Sequence, residues 1–229
     1  MGYFPFFVDV EKLHGVIVGG GNIALEKVER LVPFNAKLTL VASNIDDRIK
    51  QYACAYRVNQ TANEDVNEDG IKQHVSDDKI NQRAHLQLIE REYRSEDLDD
   101  ADYVIAATNI STLNEQIRRD ARKRGLLVNV VDVTDSCDFI FPSVVKRGRL
   151  VVGVSSSGAG PQVAIRLRKE IEKVIPDDIE DILDFLAEER IRAKKEIPDS
   201  AERKKYLIGL ADKLLNHENQ QSTEKQYNT

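Results

Sequence analysis

Three consecutive glycines, Gly19-Gly20-Gly21, separate a short apolar run at residues 15–18 from a helical pattern over about 22–32. Pro33 ends that pattern, because proline is not tolerated inside a helix. Gly19 permits a tight turn between strand and helix, and Ala24 lets the helix pack closely on the strand. The chain is therefore predicted to begin with a strand–turn–helix unit.

Strand-like and helix-like segments continue to alternate after this turn. Strands are predicted at 37–41, 85–89, 103–107 and 126–131, and helices at 45–56 and 114–124. The strands are apolar throughout, which is typical of a parallel sheet covered by helices on both faces. Residues 58–84 are rich in Asn, Asp, Glu and Gln, so we expect a polar insertion there. The predicted fold class is α/β, with a Rossmann-type sheet over residues 1–135.

The pattern changes after residue 135. Two apolar runs at 139–145 and 149–155, joined by a turn at 146–148, predict a β-hairpin. Helical patterns then cover about 161–174, 178–196 and 199–217. We therefore expect a Rossmann domain at 1–135, a hairpin at 136–160, a small helical domain at 161–217 and a frayed tail at 218–229.

Composition narrows the possible functions. A net charge of −6 argues against a general nucleic-acid-binding surface. No apolar run reaches the ~18 residues that a membrane span needs. The cysteines lack metal or disulfide spacing, and no basic segment followed by an apolar one opens the chain, so we expect a cytoplasmic protein. The histidines also lack ligand spacing, so no fixed metal site is predicted.

Residues 19–24 fit the pattern G-x-G-x-x-G/A, in the strand-to-helix setting that dinucleotide binding requires. Gly21 would let the main chain approach a pyrophosphate, and the helix N-terminus adds unpaired N–H groups. We therefore predict that Gly19, Gly20 and Gly21 contact a dinucleotide coenzyme. The alternative is a tight turn without a ligand.

The acid that commonly binds the coenzyme ribose is missing after the strand at 37–41. Ser43 and Asn44 stand there instead, and the charged residues 46–48 follow slightly late. The residues alone therefore do not distinguish NAD from NADP.

Polar residues also follow two later strands. Asp132 ends the strand at 126–131, and Thr108 and Asn109 end the strand at 103–107. Ligands bind at this edge in open α/β sheets, so Asp132 is a candidate proton acceptor. Thr108 and Asn109 are either contacts to nicotinamide or its ribose, or a cap for the helix near Asn114.

The motifs that occur in order along the chain are YFPFFVD (3–9), VGGGNIA (18–24), AATN (106–109), VNVVD (128–132), FIFPS (139–143) and VSSSGAGP (154–161). Together they resemble the precorrin-2 dehydrogenase family, which is the dehydrogenase and ferrochelatase part of siroheme synthases. The resemblance covers roughly residues 3–175. The chain departs from the family in its long segment 58–84 and in Gly160, where Ser or Thr is expected.

The resemblance implies oxidation of precorrin-2 to sirohydrochlorin with NAD, followed in some members by insertion of ferrous iron. It implies a homodimer joined through the hairpin. It maps the catalytic role onto Asp132, nucleotide contacts onto residues 22–23 (Asn22 and Ile23) and 43–44 (Ser43 and Asn44), and a substrate role onto Ser156.

A tetrapyrrole that carries carboxylates needs cations in its pocket, and arginine binds a carboxylate through two hydrogen bonds. The candidates are Lys146, Arg147 and Arg149 in the hairpin and Arg166 in the first helix after it. For each cation taken alone, the alternative is a solvated surface residue.

Two other functions share the glycine turn. A non-catalytic NAD-sensing regulatory module usually has an acid after the second strand and lacks the FIFPS segment. A Rossmann reductase acting on a small ketone or imine normally carries a recognisable Lys, His or Tyr acid/base, and the sequence offers none.

Overall fold

The structure, a computed structural model, describes residues 3–53, 85–131 and 137–227, with side chains through residue 216. The predicted insertion at 58–84 and the candidate Asp132 lie outside the described residues. The chain divides into two compact units, Tyr3–Ile140 and Phe141–Thr229. The hairpin and the C-terminal helices therefore fall in one unit.

The first unit is built on a parallel sheet of five strands. They are β1 (His14–Val18), β2 (Lys37–Ala42), β3 (His85–Glu90), β4 (Tyr103–Ala106) and β5 (Leu127–Val130). Their order is β3-β2-β1-β4-β5, and every neighbouring pair is parallel. The chain steps outward from β1 to β3 and returns to β4 on the other side of β1. The predicted Rossmann-type fold is confirmed, and its strand order reverses between β1 and β4, where such folds bind ligands.

Helices cover the sheet on both faces. They are α1 (Asn22–Leu31), α2, whose described part is 47–53, and α3 (Ser111–Lys123). α1 buries Ala24, Leu25, Val28 and Leu31, which recur at the spacing of one helical face. β1, β2 and β4 are therefore almost wholly buried, whereas the edge strand β3 buries only Leu86.

α3 begins at Ser111, earlier than the predicted start at Asn114. Asn114 lies inside the helix and is buried. Its side-chain amide donates to the carbonyl oxygen of Thr108 at 2.9 Å, which ties the first turn of α3 to the end of β4. The side chain therefore acts as a brace inside the helix, so it does not mark the helix start.

The second unit consists of a hairpin and three helices. The hairpin strands are β6 (Ser143–Arg147) and β7 (Leu150–Val154), and the helices are α4 (Pro161–Lys173), α5 (Ile179–Glu196) and α6 (Ser200–Tyr227). α4 packs against both strands, and α5 packs against β7 and α6. No helix among the described residues has the length and apolar content needed to cross a membrane.

The hairpin differs from its prediction at both ends. Arg147 pairs with Leu150, so the turn consists of residues 148–149 and the prediction of 146–148 is wrong. Gly148 has a positive φ of 50°, as two-residue hairpin turns demand. β6 begins at Ser143, later than the predicted 139, because Asp138 and Phe139 are bonded to β5 in the first unit.

α6 continues to Tyr227, whereas the apolar pattern predicted an end near His217. The helix prediction relied on apolar spacing, which fades there. Residues 218–227 contain Glu, Gln and Lys and neither Gly nor Pro, so their intrinsic helix propensity is sufficient to extend the helix.

Candidate functional site

A cavity of about 890 Å³ opens where the carboxyl ends of β1, β2 and β4 meet. It brings together all of the predicted coenzyme contacts, which are Gly19, Gly20, Gly21, Asn22, Ile23, Ser43, Asn44, Thr108 and Asn109. It is also lined by residues that the sequence analysis did not select, among them Asp46, Glu92, Tyr93, Ile110, Leu113 and Gln116.

The first two glycines of the turn are required by packing. Gly19 has a φ of +128°, and a Cβ built on it would lie 2.3 Å from the carbonyl oxygen of Ala107. A Cβ on Gly20 would lie 2.1 Å from the carbonyl oxygen of Asn44. The turn therefore passes so close to the ends of its neighbouring strands that no side chain fits.

Gly21 differs from both. Its φ is −95°, which any residue adopts, and a Cβ built there would meet no atom within 4 Å. The protein itself thus places no steric demand for glycine at this position. The missing side chain leaves bare main chain beside the first turn of α1, and that turn carries no acidic residue. An unneutralised helix N-terminus beside bare main chain fits the pyrophosphate of a dinucleotide.

The residues after β2 fold back onto the turn. The backbone N–H of Asp46 donates to the carbonyl oxygen of Gly20 at 2.9 Å, which anchors Asp46 at the cavity. Its carboxylate accepts from the side chain of Arg48, with Nε–Oδ1 at 3.0 Å and Nη2–Oδ2 at 2.6 Å. Arg48 also contacts the side-chain oxygen of Asn22. Hydrogen bonds from the Arg48 side chain, and then from its backbone, lower the pKa of Asp46 to about 2.

Ser43 and Asn44, the predicted ribose contacts, follow β2 directly, and both are exposed along the cavity. The charged residues 46–48 follow the strand slightly late in the sequence. The N–H bond from Asp46 to Gly20 turns the chain back there, so Asp46 lines the cavity. A carboxylate two residues before an arginine was the available signal.

The sequence left two interpretations of Thr108 and Asn109 at the end of β4, a contact to the nicotinamide or its ribose, or a helix cap. The Thr108 hydroxyl donates to the Asn114 side-chain oxygen at 2.7 Å, so Thr108 braces α3 while lining the cavity. Asn109 is exposed and lines the same cavity. The N-cap of α3 is Ile110, which makes no side-chain capping bond, so neither residue caps the helix in the ordinary sense.

Asp132 lies outside the described residues, which end at Val131 before it and resume at Cys137. The backbone N–H of Val131 donates to the carbonyl oxygen of Ala106 at 3.0 Å, next to the cavity. On the other side, the Cys137 thiol donates to the carbonyl oxygen of Val130 at 3.2 Å. Burial raises the pKa of the Cys137 thiol, so it remains protonated and serves as a structural group.

Tyr93 is a cavity residue that the sequence analysis missed. Its hydroxyl donates to Asp120 Oδ2 on α3 at 3.2 Å, and burial raises its pKa. Its position shortly after β3 was the signal that could have identified it. Across the ranges 3–53, 85–131 and 137–216, no three His, Cys, Asp or Glu side chains cluster as metal ligands would.

The predicted substrate residues lie in the second unit and do not form one group. Lys146, Arg147 and Arg149 lie at the turn of the hairpin, and Ser156 lies beyond the far end of β7, roughly 20 Å from Arg149 at the usual rise per residue. Arg149 pairs with Asp184 at 2.5 Å, and Arg147 lies 3.8 Å from Asp177.

The Ser156 hydroxyl accepts from the backbone N–H of Gly160 at 3.1 Å, which closes the loop before α4. Arg166 is exposed in the second turn of α4. Ser156 therefore lies beyond the end of β7 that is opposite the hairpin cations.

Comparison with known proteins identifies the family. The model of an NAD(P)-binding family matches residues 6–143. A siroheme synthase 1 of Serratia proteamaculans is 30% identical over 206 residues, which are 90% of this chain and 37% of that protein. A siroheme synthase of Psychrobacter cryohalolentis is 34% identical over 206 residues, 90% of this chain and 34% of that protein. The chain thus spans little more than a third of these relatives.

A solved structure of similar fold is the one titled "SirC, precorrin-2 dehydrogenase". It covers 97% of this chain and 100% of its own, with a TM-score of 0.71 and 19% sequence identity. The fold is therefore shared over nearly the whole chain. From the match over residues 6–143, the chain belongs to the NAD(P)-binding family, and its resemblance to siroheme synthases is confirmed.

Proposed function

We propose that this chain oxidises precorrin-2 to sirohydrochlorin with NAD, as a cytoplasmic step of siroheme biosynthesis. The observation that carries the proposal is the bare main chain at Gly21, which faces a cavity lined by every predicted coenzyme contact. The siroheme synthase relatives and the fold shared with a precorrin-2 dehydrogenase support the choice of substrate.

The first task of the chain is to hold the coenzyme. Main-chain amides at Gly21 and in the first turn of α1 bind the diphosphate, while Ser43 and Asn44 lie at the ribose nearest β2. Asn109 and the braced Thr108 lie on the β4 side of the cavity, where they contact the nicotinamide half. When bound, NAD accepts a hydride from the substrate.

The second task is to accept a proton. Conversion of precorrin-2 to sirohydrochlorin releases a hydride to NAD and a proton, so the products are sirohydrochlorin, NADH and H⁺. We assign the proton to the carboxylate of Asp132, which directly follows Val131 at the carboxyl edge of the sheet. A carboxylate positioned as a general base contributes about 10²–10⁴-fold to such a step.

The third task is to bind a polycarboxylate ring. We assign this to Lys146, Arg147, Arg149 and Arg166, with Ser156 donating to a further carboxylate. Exposed apolar side chains at Val144, Val163 and Leu167 support pairing of this unit with a second copy. Sedimentation of the purified chain should give twice its mass of 25.9 kDa.

The test is an anaerobic assay of the purified chain with precorrin-2, comparing NAD, NADP and no coenzyme. We expect the absorbance of sirohydrochlorin to appear with NAD, together with an equal amount of NADH. Coenzyme binding without any turnover would instead identify a non-catalytic NAD-sensing module. Adding ferrous iron to sirohydrochlorin and the same protein tests whether the chain also inserts iron, with iron as a substrate.

A further inference from the structure

We propose that the ion pair between Asp46 and Arg48 selects NAD over NADP, because Asp46 holds the guanidinium that a 2′-phosphate would need. This inference rests on the proposed function for its coenzyme. It assigns the choice between NAD and NADP to Asp46 and Arg48. Both residues come after Ser43 and Asn44 in the chain, and both lie outside the family motifs.

The pair lies at the cavity, which Asp46 lines. Asp46 is anchored on the glycine turn by its N–H bond to Gly20, at 2.9 Å. Arg48 reaches across from α2 to bind both carboxylate oxygens of Asp46 and the side chain of Asn22, the first residue of α1. The guanidinium therefore stands between the end of β2 and the N-terminus of the helix that receives the diphosphate.

That position is where an adenosine ribose comes to lie. In Rossmann folds the side chains after the second strand contact this ribose, with an acid in NAD enzymes and an arginine nearby in NADP enzymes. The residues directly after β2 are uncharged here, because they are Ser43 and Asn44. The charged groups closest to them in the chain, and anchored at the cavity, are those of the Asp46–Arg48 pair.

The surrounding charges oppose a 2′-phosphate. Lys50, the next cation on α2, is bonded to Glu90 at 2.8 Å. Asp47 is exposed next to the pair, and Glu92 is exposed on the cavity wall. A 2′-phosphate would have to draw Arg48 away from Asp46 and would leave that carboxylate uncompensated. The ribose hydroxyls of NAD require no such exchange.

Asp46 also has a structural role that the experiment must separate. Its Oδ1 accepts from the backbone N–H of Arg48 at 2.9 Å, which caps the N-terminus of α2. Asparagine caps helices as well as aspartate does. The change Asp46→Asn therefore removes the charge that holds the guanidinium while the cap is retained.

The experiment titrates the full chain with NADH and with NADPH and follows the fluorescence of the bound coenzyme. We expect the wild type to bind NADH more tightly. Asp46→Asn should shift the affinity ratio toward NADPH on the order of tenfold, the value of one released charge-assisted hydrogen bond. Adding Arg48→Gln to that variant should abolish the shift. Asp47→Asn, which removes an adjacent charge outside the pair, should change the ratio less than about twofold.

Arg48→Gln alone is the second variant. It leaves the Asp46 carboxylate uncompensated, so NADPH binding should weaken further while NADH binding changes less. The proposal is overturned by a wild type that prefers NADPH, by an unchanged ratio in a folded Asp46→Asn, or by an equal shift in Asp47→Asn. Since reduced coenzymes bind without turnover, an inactive enzyme that gives the expected ratios would contradict the proposed reaction and leave the coenzyme selection supported.

Discussion

The two units of the chain prepare their binding surfaces in opposite ways. In the first unit, β1, β2 and β4 are almost wholly buried. The cavity proposed for the coenzyme is bounded by a turn of three glycines, which carry no side chains. In the second unit, β6 and β7 bury only Val145 and α4 buries only Ala164. Its candidate binding groups are lysine and arginine side chains at the surface.

The two binding surfaces should lose their ligands after different kinds of substitution. A main-chain site fails when atoms are added, because any side chain occupies the space that the ligand or a neighbouring strand needs. A side-chain site fails when atoms are removed, because the charge is the binding group. The following substitutions separate the two cases.

The largest effect is expected at Asp132, the side chain that we propose as the proton acceptor. Asp132→Ala should lower the turnover of precorrin-2 by at least about 100-fold, because the proton loses its acceptor. The affinity for NADH should stay unchanged, since the glycine turn is untouched. Asp135→Ala, a neighbouring carboxylate, is the matched control and should remain active. Equal activity of the wild type and Asp132→Ala would remove Asp132 from the mechanism.

The next effect separates two neighbouring glycines. Gly20→Ala should lower stability by about 1–3 kcal/mol, because its Cβ would overlap the carbonyl oxygen of Asn44. Gly21→Ala should keep the melting temperature of the wild type, because its Cβ meets nothing. Its affinity for NADH should nevertheless fall about tenfold, the cost of one or two lost main-chain contacts. Thermal unfolding and fluorescence titration measure the two quantities. Equal NADH affinity in Gly21→Ala and the wild type would refute the diphosphate site.

These contrasts explain how much of the fold and of the candidate site could be predicted from the sequence. The apolar runs, separated by the glycine turn and by segments with helical spacing, were sufficient to predict the sheet, because buried parallel strands need continuous apolar residues. The residues that line the cavity followed from the same logic, since many of them lie just after β1, β2 or β4.

Predictions failed where one particular hydrogen bond or strand pairing decided the outcome. Asn114 bonds to Thr108 from inside α3 and so marks no helix start. The return of Asp46 to the cavity likewise depends on a single bond, to Gly20. The hairpin turn shifted because its register is set by the pairing of Arg147 with Leu150. No local pattern encodes such contacts, although each uses ordinary hydrogen-bonding groups.

A smaller effect is expected from the cations of the second unit. Arg149→Gln should raise the KM for precorrin-2 several-fold without a change in melting temperature, since exposed ion pairs contribute about 0–1 kcal/mol. Asp184→Asn releases Arg149 from its partner and should leave KM equal to or below that of the wild type. A rise in KM for both variants would mean that the ion pair itself, rather than the free guanidinium, supports binding.

The smallest effect concerns the acid titration of Asp46. Its pKa is lowered from an ordinary value of 3.8 to about 2, because Arg48 donates to the carboxylate. A lowered pKa in the folded state means that the contribution of Asp46 to stability is fully present above pH 4 and is lost as the pH falls through about 2.

Carbon-detected NMR of the side-chain carboxyl groups should therefore show that Asp46 stays ionised at pH 3, and Arg48→Gln should return its midpoint toward 3.8. Asp47→Asn should leave that midpoint in place. A wild-type Asp46 that titrates near 3.8 would show that the guanidinium is not held in solution. In that case Arg48 would be available to a 2′-phosphate. Coenzyme binding in the first unit would then depend on a surface cation, as substrate binding in the second unit is proposed to do.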